Sequence, residues 1–209
     1  MCYFAAPRKL KNAVLFVFSL IFYGWGEPRY IVLMIVSIVS GFVFALMIEK
    51  KQNKKSGLIL MWISVAVSLS FLLIFKYADF LIENVNQLPG VSLPLSKLSL
   101  PIGISFYTFQ IISYTVDVWR GDTKAQRNII SFGTYVSLLI AGPIVRYTDI
   151  ERELQERKHS VTLAASGIQR FLIGLSKKVL IANVLGELTD ICLKTSQPSI
   201  LSWWMYAVA

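Results

Sequence analysis

The chain has 209 residues, of which 55% are apolar and only 16% charged. A soluble globule of this size buries about 70% of the surface its unfolded chain exposes, too little to hide so much apolar side chain, whereas a bilayer accommodates it. The same apolar content excludes a disordered chain, and 7 Pro and 2 Cys exclude collagen-like and disulfide-framework proteins. The formal charge of +9 does not point to nucleic acid, because Lys and Arg cluster at the ends of apolar runs, where they set membrane orientation. Cys2 and Cys192 are far apart in sequence and have no neighbouring His, so neither a metal site nor a catalytic thiol is expected.

Residues 12–26 form the first uncharged run, short for a span, but Lys9 and Lys11 can snorkel and Tyr23 and Trp25 suit the interface. It reads as a spanning helix that extends back toward Pro7. Residues 30–48 carry no charge and would rise about 28 Å as a helix, close to the hydrocarbon thickness. Residues 57–75 are a second such run and 98–116 a third, bounded by Lys97 and Asp117. The loop Glu49, Lys50, Lys51, Gln52, Asn53, Lys54, Lys55 is strongly basic and is expected on the cytoplasmic side, as is the cluster Arg8, Lys9, Lys11.

Residues 76–99 then fall outside the membrane, with Tyr77, Phe80, Leu81 and Val85 alternating with Lys76, Asp79 and Glu83 as in an interfacial helix. The third span returns Arg120, Lys124 and Arg127 to the inside. Residues 129–145 are apolar but hold Gly133, Gly142 and Pro143, and a full crossing would put the next basic residues outside. The run is therefore expected to re-enter or tilt without completing a crossing. Residues 167–182, with Arg170, Lys177 and Lys178 against Phe171, Leu172 and Leu175, read as an amphipathic helix on the cytoplasmic leaflet, and residues 179–186 as the start of the next insertion. Residues 195–209 are uncharged to the last position, which reads as a membrane helix cut short. The expected architecture is all-α, a polytopic transmembrane protein, with residues 1–209 forming part of one membrane domain.

Polar side chains at membrane depth are the features a passive bundle does not need. Within 98–116 the sequence runs Leu100, Pro101, Ile102, Gly103, Ile104, Ser105, Phe106, Tyr107, Thr108, Phe109, Gln110. The Gln110 amide must find partners or water, and Tyr107, Gln110 and Tyr114 follow at steps of three and four, so they share a helical face. Such a stripe suits a water-accessible tunnel. Asp117 and Arg120, three apart, are expected to pair beside Trp119 at the cytoplasmic end. In Ala141, Gly142, Pro143, Ile144, Val145, Arg146, Tyr147 a break frees backbone groups beside a cation. Either an anionic group docks there or Arg146 snorkels from a structural kink. His159 lies in a charged run with no nucleophile or acid at a telling spacing and reads as a solvated loop residue.

Taken together, several stretches resemble the membrane-bound O-acyltransferases, in the branch of the alginate O-acetyltransferases, peptidoglycan O-acetyltransferases and D-alanyl lipoteichoic acid transfer proteins. They are Phe22, Tyr23, Gly24, Trp25, Gly26, Glu27, Pro28, Arg29, Tyr30; Leu100 through Gln110; Tyr114 with Asp117 to Gly121; Ala141 to Tyr147; and Gly174, Leu175, Lys177, Lys178, Val179, Ile181, Ala182, Asn183. The resemblance implies a ring of helices with re-entrant and interfacial segments around a thin centre, of which this chain is the N-terminal part, residues 1–7 resembling the tail of the family's first helix. It implies a multi-pass protein of the bacterial cell membrane that takes an acyl group, acetyl by the branch, from a cytoplasmic thioester or acyl carrier. The acyl group passes to hydroxyls of an envelope polysaccharide, with membrane lipid and an extracytoplasmic acyl-relay protein as further partners and no cofactor. The family's catalytic histidine lies downstream of these motifs and His159 does not match it, so no catalytic residue carries over. Family members also carry extra residues, including Phe, Pro and Gln, between the equivalents of Leu138 and Leu139, a departure that bears on the re-entrant segment. Tyr107, Gln110, Tyr114, Asp117, Arg120 and Arg146 remain the candidates for a substrate path. A polytopic transporter or export subunit is the rival reading, and a non-enzymatic scaffold the third.

Overall fold

Gly103 and Gly121 bracket the helix that carries most of the candidate residues, and both sit at positive φ, 75° and 86°. A side chain at either position would be strained, so the helix start and stop are set by two residues able to turn the backbone left-handed. The computed structural model describes residues 2–7, 10–52, 54–87, 92–95, 99–138, 145–157, 160–194 and 199–208. Among them every regular element is helical, and the chain divides into two compact units, Met1–Glu156 and Arg157–Ala209.

The first unit holds α1 (Cys2–Ala5), α2 (Lys11–Gly26), α3 (Ile31–Lys50), α4 (Lys55–Val85), α5 (Ile104–Arg120), α6 (Ile129–Leu138) and α7 (Tyr147–Gln155). Two of these, α3 and α4, are long and apolar enough to cross a membrane, and only 33% and 22% of their most apolar stretches are buried. A soluble core helix would be buried over most of its length. Here the inward stripe of α3 is Met34, Ser37, Ile38, Gly41, Ala45 and Ile48, while Val32, Ile35, Val36, Val39, Val43 and Met47 face out. Likewise α4 turns Gly57, Met61, Ser64, Ser68 and Leu72 inward and Leu58, Ile59, Trp62 and Ile63 outward. Small residues at helix contacts and large apolar ones outside is the pattern expected where lipid is the solvent, since close backbone approach then drives association. The contact is tight at Gly41, where an added Cβ would lie 2.6 Å from Ile111 Cγ2 on α5.

Several boundaries differ from the expectation. The third apolar run, expected helical over 98–116, becomes helical only at Ile104, because Pro101 and the left-handed Gly103 precede it, and it continues to Arg120. At 17 residues it rises about 25 Å, somewhat less than a hydrocarbon core. The interfacial helix expected after Phe75 is instead an unbroken extension of α4 to Val85, since no Gly or Pro intervenes. The helix α2 begins at Lys11 rather than reaching Pro7, whose carbonyl accepts from Leu10 N at 2.9 Å. Within the run 129–145, α6 has ten residues and rises about 15 Å; residues 139–144, with Gly142 and Pro143, lie outside the described residues, as does His159.

The second unit holds α8 (Val161–Lys177), a π-helical turn (Lys178–Ala182), α9 (Asn183–Lys194) and α10 (Ile200–Val208). The amphipathic helix expected from residue 167 starts earlier, at Val161, where Ser160 caps it by accepting from Leu163 N at 3.1 Å. Its side chains are exposed almost throughout.

Candidate functional site

One face of α5 carries Tyr107, Gln110, Tyr114 and Asp117, at successive steps of three, four and three, and all four are buried. The column rises about 15 Å from end to end. Its two halves have opposite hydrogen-bonding status.

At the Asp117 end the tyrosine hydroxyls and the Asp117 carboxylate have partners among the described residues. Tyr114 OH accepts from the backbone N–H of Gln126 at 2.7 Å, and Gln126 Nε2 donates to Tyr147 OH at 2.7 Å. Tyr135 OH donates to the Val145 carbonyl at 3.0 Å. The rings close around one another, Tyr114 against Tyr147 at 4.9 Å and Tyr135 against Tyr147 at 5.3 Å, both edge to face. Asp117, its side chain 4% exposed, takes two bonds from Arg146: Nη2 to Oδ1 at 2.5 Å and Nε to Oδ2 at 3.2 Å. This two-point contact uses the planar fork that only arginine has. Arg146 also reaches Asp122 Oδ2 at 3.3 Å. Its hydrogen bond to Asp117 and that carboxylate's charge hold the guanidinium above its ordinary range. Burial pushes the Tyr147 phenol up to about 12, against the hydrogen bond from Gln126.

The partner of Asp117 is thus Arg146, 29 residues away, and not Arg120, which is exposed at the helix end. Proximity in sequence favoured Arg120, but helix α7 and the residues before it bring a cation to the buried side of Asp117. A second set of contacts ties the α3–α4 turn to the same end. Gln52 Nε2 donates to the Val118 carbonyl at 3.2 Å, and Glu49 accepts from Ala125 N at 3.3 Å and from Arg127 at 2.5 Å.

The Tyr107 end is different. Gln110 is 1% exposed, and among the described residues neither its Nε2 nor its Oε1 has a hydrogen-bond partner; the hydroxyl of the fully buried Tyr107 has none among them either. On α2, Tyr23 is 4% exposed with its hydroxyl equally unpartnered. The Tyr23 and Tyr107 hydroxyls lie close enough to interact with each other, although neither completes a well-formed hydrogen bond among the described residues. Each such group costs about 1–3 kcal/mol when left unmet. The sequence reading placed Tyr23 at the membrane interface and missed its burial. Helix α2 is apolar almost all round, so its periodicity carries no signal for which side faces in.

These observations define a class first: a helical protein that turns its apolar side chains outward and keeps a polar column inside, as membrane proteins with an internal path do. Comparison with known proteins narrows it. Over 99% of its length the chain is 36% identical to the probable alginate O-acetylase AlgI of Pseudomonas aeruginosa, covering 41% of that protein. It is 35% identical, over 99% of its length, to the probable alginate O-acetylase of Azotobacter vinelandii, covering 43% of it. The peptidoglycan O-acetyltransferase of Helicobacter pylori is 26% identical over 99% of the chain and 46% of its own length. The chain spans less than half the length of the curated relatives it matches. No family model matches it, and no solved structure matches it significantly. The matches bear out the resemblance to the membrane-bound O-acyltransferases, in their alginate and peptidoglycan O-acetyltransferase branch.

Proposed function

We propose that the whole protein is a multi-pass membrane O-acetyltransferase of a bacterial cell membrane, and that this chain forms one wall of the path on which acyl donor and acceptor meet. The reaction moves an acetyl carbon from the sulfur of a cytoplasmic thioester to a hydroxyl oxygen of an envelope polysaccharide. The C–S bond breaks, a C–O ester bond forms, and the hydroxyl proton passes to a general base, which returns it to the departing thiolate so that the thiol leaves. Sequestering these steps from bulk water limits hydrolysis of the donor. In this reading the basic turn with Lys50, Lys51, Lys54 and Lys55 faces the cytoplasm, so the Asp117 end of the α5 column is the inner end and the Tyr107 end the outer one.

The single observation that carries the reading is the buried polar column of α5 in a chain whose relatives are named O-acetylases. Tyr107, Gln110 and Tyr114 line the path. Asp117 and Arg146 act by holding its inner end together. Arg146 with Asp117 and Asp122 sums to one negative charge, so a free anion would have to displace two carboxylates to reach the guanidinium. Arg120, exposed beyond the pair, is a cation able to meet an anionic donor at that end. A transporter would also need polar groups at membrane depth, but the named relatives favour acyl transfer.

The test is Gln110→Leu in the full-length protein, expressed in a host lacking its own O-acetylase. Polysaccharide acetyl content is expected to fall about tenfold or more, as for the loss of one buried hydrogen bond to a substrate, while the amount of folded protein in the membrane is unchanged. Full acetylation removes Gln110 from the path.

A further inference from the structure

Tyr23, Tyr107 and Gln110 are buried by the helices of one compact unit, so a partner can reach them only by entering between those helices. Together they offer two hydroxyls, each able to donate and accept, and an amide with two donors and an acceptor. None carries a charge. The neighbouring helices do not satisfy them, since a helix interior spends its backbone groups on itself. Solvent does not touch their polar atoms in this state either. Such an arrangement is unfavourable as it stands and becomes favourable when something with both donor and acceptor capacity enters.

We infer that Tyr23, Tyr107 and Gln110 form a binding site for a neutral hydroxyl-bearing group, held here in its closed state. The inference rests on the reading of α5 as the wall of a path and adds to it a residue of α2, a ligand chemistry and a conformational step. A sugar hydroxyl both donates and accepts, as these three side chains do. A carboxylate only accepts and brings a charge that nothing in the trio neutralises. The site therefore receives the acceptor hydroxyl rather than the charged parts of a polymer or the anionic portion of a donor. Entry requires the Tyr23 and Tyr107 hydroxyls to separate, and the hydrogen bonds made to the incoming hydroxyl offset the opening.

The test compares Tyr23→Phe, Tyr107→Phe and Gln110→Met with wild type, in the purified full-length protein. Phe keeps the shape of Tyr and Met the approximate volume of Gln, so each variant removes polarity without opening a cavity. Two quantities are read: the melting temperature without substrate, and the apparent affinities for an acceptor oligosaccharide and for the acyl donor. The expected result is a Tm higher by about 2 °C or more for each variant, because an unmet polar group has been removed, with acceptor affinity about tenfold weaker and donor affinity unchanged. An unchanged or lower Tm overturns the closed site, because these groups are then already satisfied where they stand. A raised Tm with unchanged acceptor affinity overturns the ligand assignment, as does weakening confined to the donor. Failure of the path itself reads differently, as full acetylation by Gln110→Leu.

Discussion

Gln110 and Tyr114 stand one turn apart on the same face of α5, both buried, yet among the described residues one has no hydrogen-bond partner and the other accepts from the Gln126 backbone. The difference lies in what each faces. Tyr114, Tyr135 and Tyr147 meet residues outside helices, where the Gln126 N–H, the Gln126 amide and the Val145 carbonyl are free to bond. Gln110 and Tyr107 sit among helices whose backbone groups are already used. Polar residues at membrane depth are thus fixed where chain ends and turns approach them and left open where only helix sides do. The first kind builds a rigid end; the second leaves capacity for a ligand.

The largest effect is expected from breaking the satisfied end. Arg146→Leu leaves the Asp117 carboxylate buried without its cation, and the yield of folded protein after size exclusion in detergent is expected to fall several-fold. Arg146→Lys is expected to recover only part of it, because an ammonium cannot make the two-point contact. Wild-type stability in Arg146→Leu would show that the pair does not hold the inner end. Next comes Gly41→Val, which presses on Ile111 of α5 and disturbs both halves at once; a loss of about 1–3 kcal/mol in unfolding free energy is expected.

The same chemical change at two tyrosines sharpens the contrast further. Tyr147→Phe takes the acceptor from the Gln126 amide and is expected to cost about 1 kcal/mol, whereas Tyr107→Phe is expected to stabilise. Thermal unfolding of the two variants side by side reads the sign directly, and equal signs would remove the distinction between the halves. The smallest effect is expected at Gly167 in α8, where an added Cβ meets nothing within 4 Å. There Gly167→Ala should stabilise by no more than about 1 kcal/mol through helix propensity alone, measured by the same thermal scan.

Much of this site was legible beforehand. The spacing of Tyr107, Gln110 and Tyr114 placed them on one face, and that face is buried. Helical spacing points Asp117 to the wrong cation, since it detects only partners within a turn and Arg146 is 29 residues on. Tyr23 reads as an interfacial aromatic because its apolar helix gives no inward direction, and nothing distinguishes Tyr135 inside an apolar run. Gln126, which ties two tyrosines, sits in an irregular stretch where no periodicity exists to read.

What the residues settled by themselves are quantities that depend on local order: apolar runs too long for a soluble core, basic clusters at their ends, and the helical face shared by Tyr107, Gln110 and Tyr114. Which polar groups find partners was decided only when loops and helices from distant parts of the chain came together. Hydrogen bonds and ion pairs act over a few ångströms of space, and sequence distance does not measure that.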